Sequence, residues 1–386
     1  MIAGIESRRL KNRLVVGLFR PSVVVLAAYI LYVEFVLSLH QYDPTVFIQI
    51  GSLFADRASS VARLVHDIGF GPPFWKDGFD GQFYYYIALD PVHAWELLDT
   101  TARYQRILYP MIVRLLSFGY LPSIPFLMII VNLVSIFAGT ELLARLLKWL
   151  HLNSWYSLGY GFHIGQLVSL RRDLPEPLMY AFVIAAIYYA EARGSYRVAG
   201  IMFLLALFTK EPAILFIAAY AFGLLLSSRR KSPRSAALLV AVSVLPYAAY
   251  QLMQLYRFGQ VAFFSLGNLQ TFSLIPFYGI FQAPRAPFEL VSIAIAIVIP
   301  ATLSLAIFFR SVIRRNVEPL LIALLLNALL LTFLPSMSYI DVFTYGRVSL
   351  GLATAWIAYA GFSQNKRMLT YSILWAIPTQ LNYVPK

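Results

Sequence analysis

Apolar runs of about 20 residues recur along this chain, and clusters of Lys and Arg close most of them. That spacing predicts transmembrane helices rather than the alternating faces of a soluble fold. The first run is Pro21–Leu39, entered from Arg8, Arg9, Lys11, Arg13 and Arg20. It is longer than a signal-peptide core and has no obvious small-residue cleavage site, so a retained helix is expected. A polar stretch from His40 to Arg106 then breaks the pattern. Within it, Thr45 to His66 has the mixed polarity of a helix lying on a membrane surface. Ile107 to Phe118 is short and amphipathic, the length of a re-entrant or interfacial helix.

Further apolar runs lie near Ile124–Leu147, Trp155–Leu170, Pro177–Ala190, Val198–Phe208 and Ala213–Leu226. Others follow near Ala236–Tyr256, Phe288–Phe309, Pro319–Leu334 and Val348–Phe362, with a short last one at Met368–Pro378 that does not declare whether it crosses. An aromatic, nearly acid-free loop, Arg257 to Pro287, and a shorter loop, Ser336 to Arg347, separate some of these runs. The expected fold is an all-α polytopic bundle of about 10–11 transmembrane helices with one long outer loop. The chain has no internal repeat and no soluble appended domain, so all 386 residues are expected to form one unit.

Composition agrees with the pattern. The chain is 60% hydrophobic and 13% charged, about half the charge of an average soluble domain. It has no cysteine, which excludes disulfides, thiolate metal ligands and a thiol nucleophile. The net charge of +13 would suit a nucleic-acid partner if it formed a patch. Instead, 18 of the 31 Lys and Arg fall at helix ends assigned to the inside, and 13 of the 18 acids at ends assigned to the outside. The net charge therefore sits on one face, as positive-inside bias requires, and the amino terminus is expected in the cytoplasm. No nucleic-acid partner is expected.

Candidate chemistry concentrates on the outer side. Asp77, Asp80, Asp90, Glu96 and Asp99 crowd into one segment, with Arg103 and Arg106 close behind. Asp80 stands in Gly78-Phe79-Asp80-Gly81-Gln82-Phe83-Tyr84-Tyr85-Tyr86-Ile87-Ala88, where by local pattern it reads as a helix cap. Asp90, in Leu89-Asp90-Pro91, reads equally as a turn residue. A second outer cluster holds Arg171, Arg172, Asp173 and Glu176, the last a natural helix-dipole partner before Pro177. Lys210-Glu211-Pro212 interrupts an apolar run, and Asp341 and Arg347 flank the last outer loop. Glu34, inside the first helix, calls for a structural pair. His66 and His93 have no metal-ligand spacing.

The run Asp80 to Pro91 and the run Tyr104-Gln105-Arg106-Ile107-Leu108-Tyr109-Pro110 resemble the first outer loop of GT-C-type membrane glycosyltransferases. They are similar to the GPI-mannosyltransferase branch, and more so to bacterial multi-pass proteins tied to cell-surface glycopolymer formation. The likeness is specific in the loop and general in the helices.

This resemblance implies transfer of a sugar from a polyprenyl-phosphate donor to a glycan or lipid acceptor at the outer face of a bacterial cytoplasmic membrane. Asp80 would be the general base, with Glu176 and Asp90 as further acids. Substrate contacts would fall to Gln82, Tyr85, Arg103, Arg106, Arg171, Arg172, Asp173, Lys210, Glu211, Asp341 and Arg347. Arg347 is the preferred phosphate ligand, since guanidinium forks suit phosphate oxygens. Membrane lipids are the surrounding partners. A divalent metal, Mg or Mn, on Asp80 and another outer acid stays open, because the family holds both kinds of enzyme. A flippase for lipid-linked glycans and a non-catalytic assembly subunit are the rival readings; crowding of acids on one face disfavours the first.

Overall fold

A computed structural model of the chain describes residues 20–68, 75–227, 231–259, 272–282, 285–339 and 341–376. The amino-terminal basic cluster Arg8 to Arg13, Arg229 and Arg230, much of the aromatic loop and the end of the last apolar run lie outside the described residues.

The described chain is all-α, without strands. Its main helices are α1 (Pro21–Leu39), α2 (Gly81–Leu89), α3 (Leu108–Leu116) and α4 (Ile124–Trp149). There follow α5 (Ile164–Arg171), α6 (Glu176–Arg193), α7 (Tyr196–Thr209), α8 (Ala213–Leu226) and α9 (Pro233–Phe258). The last are α10 (Ile299–Ile313), α11 (Pro319–Thr332) and α12 (Val342–Phe362). Four helical stretches are long and apolar enough to cross a membrane: Pro21–Leu39, Leu121–Trp149, Pro233–Phe258 and Pro287–Ile313. Large apolar side chains stay bare along them, including Leu31, Phe35, Val134, Leu245, Leu252 and Phe309. Such a continuous apolar exterior fits hydrocarbon and not water.

Three apolar helices are shorter: α7, α8 and α11. Each has 14 residues, about 21 Å of rise against a hydrocarbon core of about 30 Å. α7 and α8 meet at the turn Lys210-Glu211-Pro212. α4 packs on α1 and α6, α7 on α6 and α9, α8 on α9 and α11, and α12 on α5 and α11. The resulting core runs from Leu143 through Phe203, Phe216 and Tyr220 to Trp356.

Three expectations change. Thr45 to His66 is not one surface helix but three short ones, Thr45–Ile48, Ser52–Ala55 and Ser60–Asp67. The first break falls at Gly51, whose Cα rests on the Asp77–Gly78 backbone; the last helix begins where the Ser59 hydroxyl accepts from the Ala62 amide. The run Trp155 to Leu170 is also broken, into a 3-10 turn (Ser154–Ser157), Leu158–Gly161 and α5. At the break His163 caps α5, its Nδ1 accepting from the Gly165 amide at 3.0 Å. Finally, α12 starts at Val342 rather than Val348, because Asp341 caps it through the Thr344 amide (2.8 Å) and hydroxyl (2.7 Å). Arg347 consequently belongs to the helix and not to the loop before it.

The long outer segment has its own core. Ile48, Phe54, Val61, Phe83, Tyr84, Ile87 and Leu97 are buried together against Met128 and Leu178 of the bundle. That core makes the segment a folded cap and holds α2 at a fixed place.

Candidate functional site

Residues 77 to 82 form a small geometric unit. Gly78 has φ +68°, a backbone conformation that L side chains resist. A Cβ on Gly81 would collide with the Arg172 carbonyl, so the start of α2 can approach that loop only as glycine. Gln82 braces the turn from inside: its Oε1 accepts from the Gly51 amide at 3.0 Å and its Nε2 donates to the Asp77 carbonyl at 3.0 Å. The Tyr86 hydroxyl donates to the same Oε1 at 3.2 Å. Gln82 is thereby a scaffold residue, and Tyr85 is buried beside Tyr86 in the cap's core.

This unit turns Asp80 away from its own helix. Asp80 occupies the N-cap position of α2 but makes no capping hydrogen bond. Its Oδ1 accepts from Arg103 Nη2 at 3.0 Å and its Oδ2 from Arg347 Nη1 at 3.2 Å. Arg103 is also held by Asp99, at 3.0 Å through Nε and 2.8 Å through Nη2. Arg347 reaches Glu176 Oε1 with its Nε at 3.2 Å, an ion-pair distance. Lys210 Nζ bonds to that same Oε1. Beside them Arg106 donates from Nε to Glu211 Oε1 at 2.7 Å and from Nη1 to the Tyr84 hydroxyl at 3.0 Å.

Four cations and four acids, drawn from the outer cap, the start of α6, the α7–α8 turn and α12, thus meet at one end of the apolar bundle. The Glu176 side chain is 3% exposed and that of Asp80 28%, so the network is buried on the helix side and open at Asp80. Burial pushes the Asp80 carboxyl up, but Arg103, Arg347, Arg106 and Lys210 outweigh it and hold Asp80 below the usual carboxylate range. Burial pushes Lys210 down to about 8, with Arg347 and Arg106 adding to it and Glu176 opposing.

Other candidates stand apart from this network. Asp90 closes the far end of α2 on its own turn, accepting from the Val92 amide (2.9 Å), the His93 amide (3.2 Å) and His93 Nδ1 (2.8 Å). Arg171 donates to the Val46 carbonyl and lies over Phe47, while Arg172 lies over Phe79. Both arginines clamp the cap to α5. Asp173 is fully buried at φ +45°, near Asn132 Nδ2 at 3.5 Å, and burial raises its pKa well above the ordinary range. Asp341 serves as the α12 cap. Glu34, in the first helix, accepts from the Tyr42 hydroxyl at 2.7 Å.

Sequence reasoning assigned no role to two members of the network, Asp99, counted only among the crowded acids, and Tyr84. Asp99 carried a signal, its i,i+4 spacing to Arg103; Tyr84 carried none, one tyrosine among three in a row. Among the described residues no three His, Cys, Asp or Glu side chains gather as a metal site. Asp80 and Glu176, which share Arg347, are the acids nearest to such a role. What the arrangement offers chemically is a partly exposed carboxylate between two guanidiniums, with an ammonium behind: donors matched to phosphate oxygens next to a proton acceptor.

Compared with models of known families, with curated proteins and with solved structures, the chain matches none. The likeness to GT-C enzymes therefore rests on the loop residues themselves.

Proposed function

We propose that the chain is a GT-C-type integral membrane glycosyltransferase that takes its sugar from a polyprenyl-phosphate donor. The observation that carries this reading is Asp80 suspended between Arg103 and Arg347 at the end of an apolar bundle. A lipid-linked donor needs an apolar approach for its chain and cations for its phosphate, and its acceptor needs a carboxylate beside the attacking hydroxyl. All three coincide here.

As it stands, Asp80 is a poor base, because both its oxygens are paired with cations and its pKa is depressed. A phosphate entering the cluster competes for Arg103 and Arg347. Each guanidinium that turns to the phosphate releases an Asp80 oxygen and lets its pKa rise toward the ordinary range. The acceptor hydroxyl then gives its proton to Asp80 as its oxygen bonds to the anomeric carbon. The bond from that carbon to the phosphate oxygen breaks, and the polyprenyl phosphate leaves with its electron pair, neutralised by the arginines and Lys210. Donor binding thereby switches on its own base.

In this reading the helices form a bundle of about 10–11 crossings in a bacterial cytoplasmic membrane. The amino terminus is inside and the Asp80 end outside, where the acceptor is a cell-envelope glycan or lipid.

The test is complementation. In a null strain, wild type should restore a surface sugar that Asp80→Asn, at equal membrane level, does not. Loss of a positioned base reduces transfer by about 10²–10⁴-fold. Full restoration by Asp80→Asn would leave transport or scaffolding of glycan carriers as the better account.

A further inference from the structure

A second site lies at the opposite end of α12. From Arg347 to Phe362 that helix rises about 22 Å. Beyond it opens a cavity of about 280 Å3 lined by Asn316, Glu318, Tyr359, Phe362, Ser363 and Gln364.

Glu318 is 6% exposed and stands at the N-cap of α11, yet makes no capping hydrogen bond. Its Oε2 is buried with no hydrogen-bond partner among the described residues. A buried carboxylate oxygen left alone is costly, and a cation or strong donor removes the penalty. Two of the surrounding helix ends favour positive charge, against the α11 amino terminus on which Glu318 stands. α10 ends at Ile313 and α12 at Phe362, so two helix C-termini, with their partial negative charge, flank the cavity. Tyr359 and Phe362 also line it. One carboxylate with neutral amide and hydroxyl oxygens is a thin set for a divalent ion. It suits an ammonium group, whose three N–H donors need separate acceptors.

Around the mouth the charge reverses. Arg314 and Arg315 follow α10 and are exposed, as are Lys366 and Arg367 after α12. Such a collar repels a simple cation but accepts a phosphate. Next to it Phe309, Val312 and Ile313 of α10 present bare apolar surface. An acidic pocket inside a basic collar beside an apolar stripe is the complement of a zwitterion on an acyl chain.

We infer that this cavity binds the headgroup of an aminophospholipid. The ammonium sits on Glu318, the phosphate against the Arg314–Arg315 collar, and the acyl chains along α10. The site is independent of the Asp80 network and of any transferase activity.

The purified full chain, delipidated in detergent, would be titrated with phosphatidylethanolamine, phosphatidylcholine or phosphatidylglycerol, reading bound lipid by native mass spectrometry. Phosphatidylethanolamine should bind at least about tenfold more tightly than phosphatidylcholine, which replaces the N–H donors by methyl groups. Glu318→Gln should abolish that preference. Equal binding of the two lipids by wild type, or an unchanged preference in a folded Glu318→Gln, overturns the proposal. The wild-type comparison decides alone should the variant not fold. Soluble phosphoethanolamine is the control for source: competition at concentrations equal to the lipid's would make a free headgroup the ligand and overturn the lipid assignment.

Discussion

Two aspartates bracket the nine-residue α2 and have different fates. Asp80, at its start, engages Arg103 and Arg347, the second of them 267 positions away. Asp90, at its end, engages only Val92 and His93. Both precede turn-forming residues and both have a lowered pKa, but for unlike reasons. At Asp80 burial is outweighed by four distant cations. At Asp90 it is outweighed by the His93 ring and two amides of its own turn. One aspartate organises tertiary structure and the other organises five residues. The distinction between a site and a turn lies in the partners and not in the local sequence.

The sharpest way to break that contrast is to remove what makes Asp80 long-range. Arg347 presents different nitrogens to different acids, Nη1 to Asp80 and Nε to Glu176. Lysine keeps the charge but offers a single point donor that cannot serve both. Under the proposed transferase reading, Arg347→Lys should lower sugar transfer by about a hundredfold, the scale of losing one preorganised donor at a developing charge. The measurement is transfer in membranes matched for protein level. Activity within about threefold of wild type would mean that the bridge to α12 is structural only.

Much of the helical frame was legible because apolar runs and basic ends are local signals. α1, α8 and α9 fall close to where hydropathy places them. The failures have a common cause. Thr45 to His66 and Trp155 to Leu170 read as continuous helices, and both are broken where a glycine meets another backbone or a side chain caps a new turn. Those contacts are tertiary. The site divides the same way. Asp80, Glu176, Lys210, Glu211, Arg103, Arg106 and Arg347 stood out as charges in an apolar chain, and the structure brings these seven together. Charge scarcity could not say which acids pair with which cations. It also could not separate them from Gln82, Asp341 and Arg171, whose polar groups are consumed by bracing and capping.

A milder perturbation uses pH. Lys210 is held down to about 8 by burial, against an ordinary value near 10.5. For stability the sign follows directly: the unfolded chain binds the extra proton between these values, so this group penalises the fold below about pH 8 and the penalty lifts as pH rises. For phosphate binding the sign is opposite, since the neutral amine no longer attracts the anion. Donor affinity should therefore fall several-fold as pH rises through about 8. Lys210→Arg, which stays charged, should flatten that limb in an equilibrium donor-binding titration. A limb that survives in Lys210→Arg belongs to another group.

The smallest effect is expected at Asp90, and it completes the contrast. Asp90→Asn keeps an oxygen that can accept from the Val92 and His93 amides and loses only the charge facing His93 Nδ1. The pair is partly solvent-exposed, its side chains 53% and 24% accessible, a setting in which ion pairs contribute about 0–1 kcal/mol. Sugar transfer should stay within about twofold of wild type, and the thermal midpoint should move by no more than a few degrees. That small loss has its own pH signature. The carboxyl's folded pKa is lowered, so its stabilisation is present above the ordinary carboxylate range and lost as pH falls through the depressed value. Wild type and Asp90→Asn should thus differ slightly in midpoint at neutral pH and converge in acid. A large loss of transfer with the midpoint unchanged would place Asp90 in the chemistry after all, and the two ends of α2 would have to be read as one site.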